Sequence, residues 1–324
     1  MQYTIQIIII LVLSFLAVEK VSAQTNRHLF QRKKIIIEGI NISYLDEGQG
    51  NTLLFFHGIP TNADIWQGII DNVSPHYRTI ALDLPGYGES DMPNNFSIET
   101  NYHYIKAFVD SLNLKDITIV VHDLGSLYGI KYAIENSNNI KNVILFESVF
   151  MPTAQWYKQL PFSAKLMFRL LGNKRIASKW MHKKNKVNKL LLKMGTKRKM
   201  TKSEIKLYTK SFDDSINRRL ILLHGPSPTT MPKKGISVNE GDFADEFDKN
   251  AAGLKKLSET KPMLLFFASP GMVTRKKAVI FANNNLRNLT THNLGKGKHF
   301  LQEDYPKEIS AQIIFWLKNE AACK

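Results

Sequence analysis

An aspartate at a sharp turn is the first residue whose setting suggests chemistry. His122-Asp123-Leu124-Gly125-Ser126 follows the β-branched run Ile117-Thr118-Ile119-Val120-Val121 and leads into a helical stretch, Leu127 to Glu135. Small residues two and three places after Asp123 suit a strained strand-to-helix elbow, where a neighbouring backbone must come close. Such an elbow displays a nucleophile. A carboxylate there is favoured in its ionised form by the helix N-terminus behind it, and its attack on carbon would form an ester. The plainer role of an Asp ahead of a helix is an N-cap. Two further stretches bear on the choice: Phe55-Phe56-His57-Gly58-Ile59-Pro60, after an apolar run, and Gly295-Lys296-Gly297-Lys298-His299, ahead of the closing helix. His299 stands where a base could activate water to cleave the ester.

For these groups to meet, the segments that carry them must end on one edge of a sheet. Short β-branched runs alternate with helical patterns, the signature of strands joined by crossovers into a mostly parallel sheet. Ligand sites in such sheets lie beyond the strand ends. The runs predict a hairpin of Lys34 to Ile37 and Ile40 to Leu45 turning at Glu38-Gly39, then Leu53 to Phe56, Thr79 to Leu82, Ile117 to Val121 and Val143 to Phe146. Met263 to Ala268 and Leu289 to His292 resume the pattern, and Tyr305 to Lys318 closes it as an amphipathic helix. The expected fold is α/β, an eight-stranded core (24–149 and 259–324) with a helical cap inserted after the sixth strand (150–258).

The cap differs from the core in charge. From Lys158 to Lys210 basic residues crowd the chain and Glu204 is the one acid. Apolar residues recur between the lysines near helical spacing, Val187, Leu190, Leu191 and Met194 among them, predicting two or three amphipathic helices. Such a face is either a solvated lysine surface or an electrostatic contact with an anionic surface. The 324 residues carry a formal charge of +16, yet no nucleic-acid-binding pattern accompanies it, so nucleic acid is not the expected partner. Residues 1–23 read as a signal peptide, an apolar run from Ile7 to Val18 ahead of the cleavage site Val21-Ser22-Ala23. Export, to a periplasmic or secreted location, is expected with the signal cleaved, and attachment to the membrane if it is not. The single Cys323 cannot form an intramolecular disulfide.

Taken in order, His57-Gly58-Ile59-Pro60, Asp83-Leu84-Pro85-Gly86-Tyr87-Gly88-Glu89-Ser90-Asp91, His122-Asp123-Leu124-Gly125-Ser126, Phe146-Glu147-Ser148, Ser269-Pro270-Gly271 and His299-Phe300-Leu301-Gln302-Glu303-Asp304 resemble the haloalkane dehalogenases, the group of α/β-hydrolases that includes the sea pansy type luciferase. The likeness runs from about Lys33 to Leu317. It implies an Asp123 nucleophile, a His299 base and an oxyanion hole from the N–H groups of Ile59 and Leu124. It also implies an acid at the end of the sixth strand, Glu147, because Phe267-Ala268-Ser269-Pro270-Gly271-Met272 offers no carboxylate after the seventh; Asp304 is the fallback. No metal or organic cofactor enters this chemistry. The implied substrate is a small apolar molecule with an electrophilic carbon.

The chain departs from the family where halide leaves. The dehalogenases hold halide with an Asn after the His-Gly pair and a Trp after the nucleophile, and this chain has Ile59 and Leu124 there. Trp156, Tyr157 and Tyr208 are the cap residues that could donate to a leaving group instead. Epoxide hydrolases, which need cap phenols, are the alternative enzyme reading. A ligand-binding or surface-attached protein on the same fold is the alternative of another class.

Overall fold

The computed structural model describes residues 30–162, 164–166, 186–213 and 243–322. The signal segment 1–23 and much of the cap therefore lie outside the described residues. Eight strands form one sheet in the order β1-β2-β4-β3-β5-β6-β7-β8: β1 Lys33–Ile37, β2 Ile40–Glu47, β3 Thr52–Phe56, β4 Arg78–Leu82, β5 Ile117–His122, β6 Ile140–Phe146, β7 Met263–Pro270 and β8 Leu289–Gly297. The β1–β2 hairpin turns at Glu38-Gly39, and β2 runs antiparallel to β4; every other pair is parallel. The expected α/β-hydrolase architecture is the one found, with the cap region between β6 and β7.

Parallel strands joined by helical crossovers are buried on both faces, and the strand residues divide accordingly. Leu54, Phe56, Ile119, Val121 and Leu145 point into a core packed by α2 (Ile98–Ser111), α3 (Gly125–Glu135), α7 (Phe243–Leu257) and α8 (Lys276–Asn285). Leu53, Phe55, Val120, Ile144 and Phe146 point the other way, onto α1 (Gln67–Val73) and α10 (Pro306–Ala322). Alternate residues thus serve opposite cores. Besides α7, the described helices between β6 and β7 include α4 (Thr153–Gln159), α5 (Lys186–Gly195) and α6 (Lys202–Thr209). The short α9 (Leu301–Asp304) follows β8. Among the described residues no helix is long and apolar enough to cross a membrane.

α5 turns a different side to the protein than its apolar residues predict. Leu190 and Met194 are exposed, while Asn188, Leu192 and Gly195 are buried. Periodicity identifies a stripe that can be buried, but the helix end must sit against the loop after β8, and that contact selects the Asn188, Leu192 and Gly195 side.

Candidate active site

The centre of the sheet sets two carboxylates side by side. In the β5–β6 register His122 pairs with Phe146, so the next residues, Asp123 and Glu147, leave adjacent parallel strands at the same level. Neighbouring strands lie about 4.8 Å apart. Both residues take left-handed backbone conformations, with φ of 49° at Asp123 and 41° at Glu147. Non-glycine residues seldom adopt that region unless their surroundings impose it. At the elbow the imposing contact is visible: a Cβ on Gly125 would stand 2.4 Å from the Phe56 carbonyl oxygen, so only glycine lets α3 start this close to β3. The backbone N–H and hydroxyl of Ser126 both donate to the Asp123 carbonyl, at 3.0 and 2.6 Å, and close the turn.

The two carboxylates differ in access. The Asp123 side chain is 24 % exposed and that of Glu147 is fully buried. The Ile59 N–H donates to Asp123 Oδ1 at 2.9 Å, and Leu124, the second expected donor, stands at the N-cap of α3. Oε2 of Glu147 accepts from the N–H groups of Met272 and Val273, at 2.9 and 2.7 Å, in the turn after β7. His299 lies between the two acids, with Nε2 3.4 Å from Asp123 Oδ2 and Nδ1 3.3 Å from Glu147 Oε2. Asp123, Glu147, His299 and the Ile59 N–H, named separately from the sequence, are thus brought together.

Electrostatics follow from this packing. Burial alone would raise the Asp123 carboxyl, but the hydrogen bond and charge of His299 outweigh it and hold it at about 2. Burial alone would lower His299, but its bonds to Asp123 and Glu147 push it up to about 9. The two carboxylates thus favour the protonated imidazole, and the imidazole favours the ionised form of Asp123.

Other expected residues stand elsewhere. The Trp156 indole N–H donates to the Val273 carbonyl at 3.1 Å, so it straps α4 to the turn that binds Glu147 and is not available to a leaving group in this arrangement. Tyr208 is buried, and its hydroxyl donates to the carboxylate of Glu303. Tyr157 is partly buried, with the Lys165 ammonium 5.5 Å from its ring centroid. The fallback acid Asp304 accepts from the backbone N–H groups of Lys197 and Arg198 and so faces the cap.

Sequence reasoning gave no role to His122. Its Nε2 is 3.1 Å from the carbonyl oxygen of His299; a carbonyl only accepts, so Nε2 carries the proton and donates. Burial, with the nearby charge of His299, pushes His122 down to about 3 and keeps it neutral. Its place directly before Asp123 was the one available signal.

Residues 51–306 match the alpha/beta hydrolase fold family. A haloalkane dehalogenase of Mesorhizobium japonicum is 31% identical over 291 residues, covering 89% of this chain and 91% of the relative. One from Agrobacterium fabrum is 26% identical, covering 86% and 89%. Among solved structures, a putative ancestral haloalkane dehalogenase superposes with a TM-score of 0.80 at 28% identity, over 90% of this chain and 99% of the other. The haloalkane dehalogenase of Bradyrhizobium elkani reaches a TM-score of 0.82 at 24% identity, over 91% and 99%, and speaks to the fold alone.

Proposed function

This chain belongs to the haloalkane dehalogenase family of α/β-hydrolases, and from that premise we propose that it hydrolyses small molecules with an electrophilic carbon through an ester formed on Asp123. The observation that carries this reading is the imidazole of His299 between an accessible and a buried carboxylate, with a backbone N–H already on the accessible one. The Asp123 oxygen that is not held by Ile59 attacks an sp³ carbon; a carbon–oxygen bond forms, and the leaving group departs with its electron pair.

Esterification removes the charge of Asp123 and with it a large part of what holds the proton on His299. The imidazole then releases that proton to solvent and becomes a base. Nδ1–H stays directed to Glu147, and Nε2 takes a proton from water as the water oxygen adds to the Asp123 carboxyl carbon. The Ile59 N–H, with that of Leu124, stabilises the resulting oxyanion. As the intermediate collapses, the bond from the carboxyl carbon to the alkoxy oxygen breaks, the imidazolium returns its proton to that oxygen to release the alcohol, and the Asp123 carboxylic acid left behind gives its proton to His299.

The leaving group is served poorly. At the two positions where the resemblance implies halide donors stand Ile59 and Leu124, whose side chains cannot donate. Hydrogen bonds to a charged group contribute about 1.5–3 kcal/mol each, so losing both slows departure by about a hundredfold to ten-thousandfold. Trp156 and Tyr208 spend their donors on Val273 and Glu303, which leaves neither for a halide or an opening epoxide. We therefore assign the chain to substrates whose leaving group departs with little help, with iodoalkanes turning over faster than bromoalkanes and chloroalkanes slowest. Single turnover of 1-iodobutane in heavy-oxygen water should place label in the Asp123 carboxylate. Unlabelled Asp123 beside formed product would sink the ester mechanism; absence of both turnover and alkylation across iodoalkanes, epoxides and esters would favour a binding role.

A further inference from the structure

The reaction uses the side chain of His299, but the support of its backbone comes largely from the cap. The N–H groups of His299 and Phe300 both donate to the carbonyl of Gly195, at 2.8 and 2.9 Å. Gly195 is the last residue of α5, where helix carbonyls lack partners within the helix. A Cβ at Gly195 would stand 2.5 Å from the Phe300 ring, so glycine is what allows the carbonyl this close. Two residues on, the N–H groups of Lys197 and Arg198 cap the Asp304 carboxylate at 2.8 and 2.9 Å. The Arg198 guanidinium donates to the Glu303 carbonyl at 2.9 Å, pairs with the Glu303 carboxylate, and is itself held by Glu204 at 2.7 Å. Tyr208 donates to the same Glu303. From below, His122 binds the His299 carbonyl.

We propose that Arg198 is a positioning residue for the base: by clamping Glu303 from the cap it fixes the loop on which His299 rides, and so sets the rate of ester hydrolysis without touching substrate. The proposal rests on the reading of His299 as the base. His299 stands 3.4 and 3.3 Å from its two carboxylates, at the long end of hydrogen bonding, so its aim depends on the loop as much as on those contacts. A displacement of about 1 Å at a reacting group costs on the order of a hundredfold. The planar fork of arginine reaches the Glu303 carbonyl, the Glu303 carboxylate and Glu204 together, which a single ammonium cannot do. Alkylation does not need the base, because Asp123 is held by Ile59 and the elbow.

The test separates the two halves in the full chain, with 1-iodobutane as probe and quenched mass spectrometry of the enzyme. Arg198→Ala should alkylate Asp123 within about twofold of the parent and hydrolyse the ester about tenfold to a hundredfold more slowly, so that adduct accumulates. Arg198→Lys, which keeps charge but loses the fork, should fall between. Tyr208→Phe removes one bond to Glu303 and keeps the packing; it should slow the same half by a smaller factor, and it decides the matter if Arg198→Ala fails to fold. Equal slowing of both halves, or no change in either, overturns the proposal. His299→Phe is run beside them: if it too fails to trap adduct, the assignment of the base is wrong, whereas trapping there with none in the Arg198 and Tyr208 variants defeats the positioning role alone.

Discussion

Asp123 is held by the centre of the sheet, whereas His299 rides on a loop that the cap grips. Around Asp123 the constraints come from the sheet: β5 on one side, α3 on the other, the Ile59 N–H on its carboxylate, and a contact with the Phe56 carbonyl of β3 that only Gly125 permits. Around His299 they come from far along the chain, through Gly195, Asp304 and the Arg198–Glu303 pair. Glu147 is intermediate. It ends β6 in register with the nucleophile, yet its carboxylate is bound by a turn that Trp156 straps to α4. Under the proposed mechanism this difference divides the reaction between two parts of the molecule: the core would govern ester formation, and the cap would have leverage on ester hydrolysis.

The largest expected effect tests the core side. Asp123→Ala should abolish turnover and leave no adduct anywhere on the protein; product formation by this variant would remove the nucleophile from the account. His299→Phe tests the other side, with alkylation retained and hydrolysis slowed by about a hundredfold to ten-thousandfold. Mass spectrometry should find the substrate fragment on Asp123. An adduct elsewhere would break the comparison at its root.

Protons sharpen it further. His299 is raised from an ordinary value of 6.5 to about 9, so its interactions stabilise the fold fully below about pH 6.5, and that contribution is lost as pH rises through about 9. Asp123 is depressed from 3.8 to about 2; its contribution is present above about 3.8 and lost as pH falls through about 2. Thermal melts should therefore decline on the alkaline side from about pH 6.5, and Glu147→Gln should make that decline smaller and end it at lower pH. Near pH 7.5 alkylation should release about one proton per enzyme, seen with an indicator dye, because the neutralised Asp123 no longer holds it on the imidazole. Ester formation without proton release would show that His299 starts neutral.

The smallest effect concerns the strap. Trp156→Phe keeps a ring but removes the bond to Val273, a loss of about 0.5–1.5 kcal/mol. It should lower stability by that amount and slow hydrolysis only a few-fold, less than Arg198→Ala. A larger loss in alkylation than in hydrolysis would place Trp156 on the core side after all.

The sheet was legible because burial on both faces demands continuous β-branched and aromatic runs, such as Ile117 to Val121, and these stand out between helical patterns. Strand ends were less so. β6 begins at Ile140 and not Val143, and β8 continues past His292 to Gly297, because pairing carries residues of low strand preference. Asn293 and Lys296 pair with Phe267 and Ser269. The residues that meet at the site were legible from the elbow and from motif order. The contacts of the cap were not. Arg198 and Glu303 are 105 positions apart, and nothing in a run of lysines marks one arginine as different. The inward side of α5 and the bond of Trp156 depend on where the helices dock, which composition does not encode.

The double acceptance by Gly195 makes the amide protons of His299 and Phe300 a gauge of the cap. Amides sealed by a sheet exchange with solvent deuterium only when the core opens, but these two are sealed from the cap side and exchange whenever α5 lifts. Their protection, set beside that of a β5 amide such as Val120, measures the opening of the cap separately from the unfolding of the protein, at the residue that carries the proton.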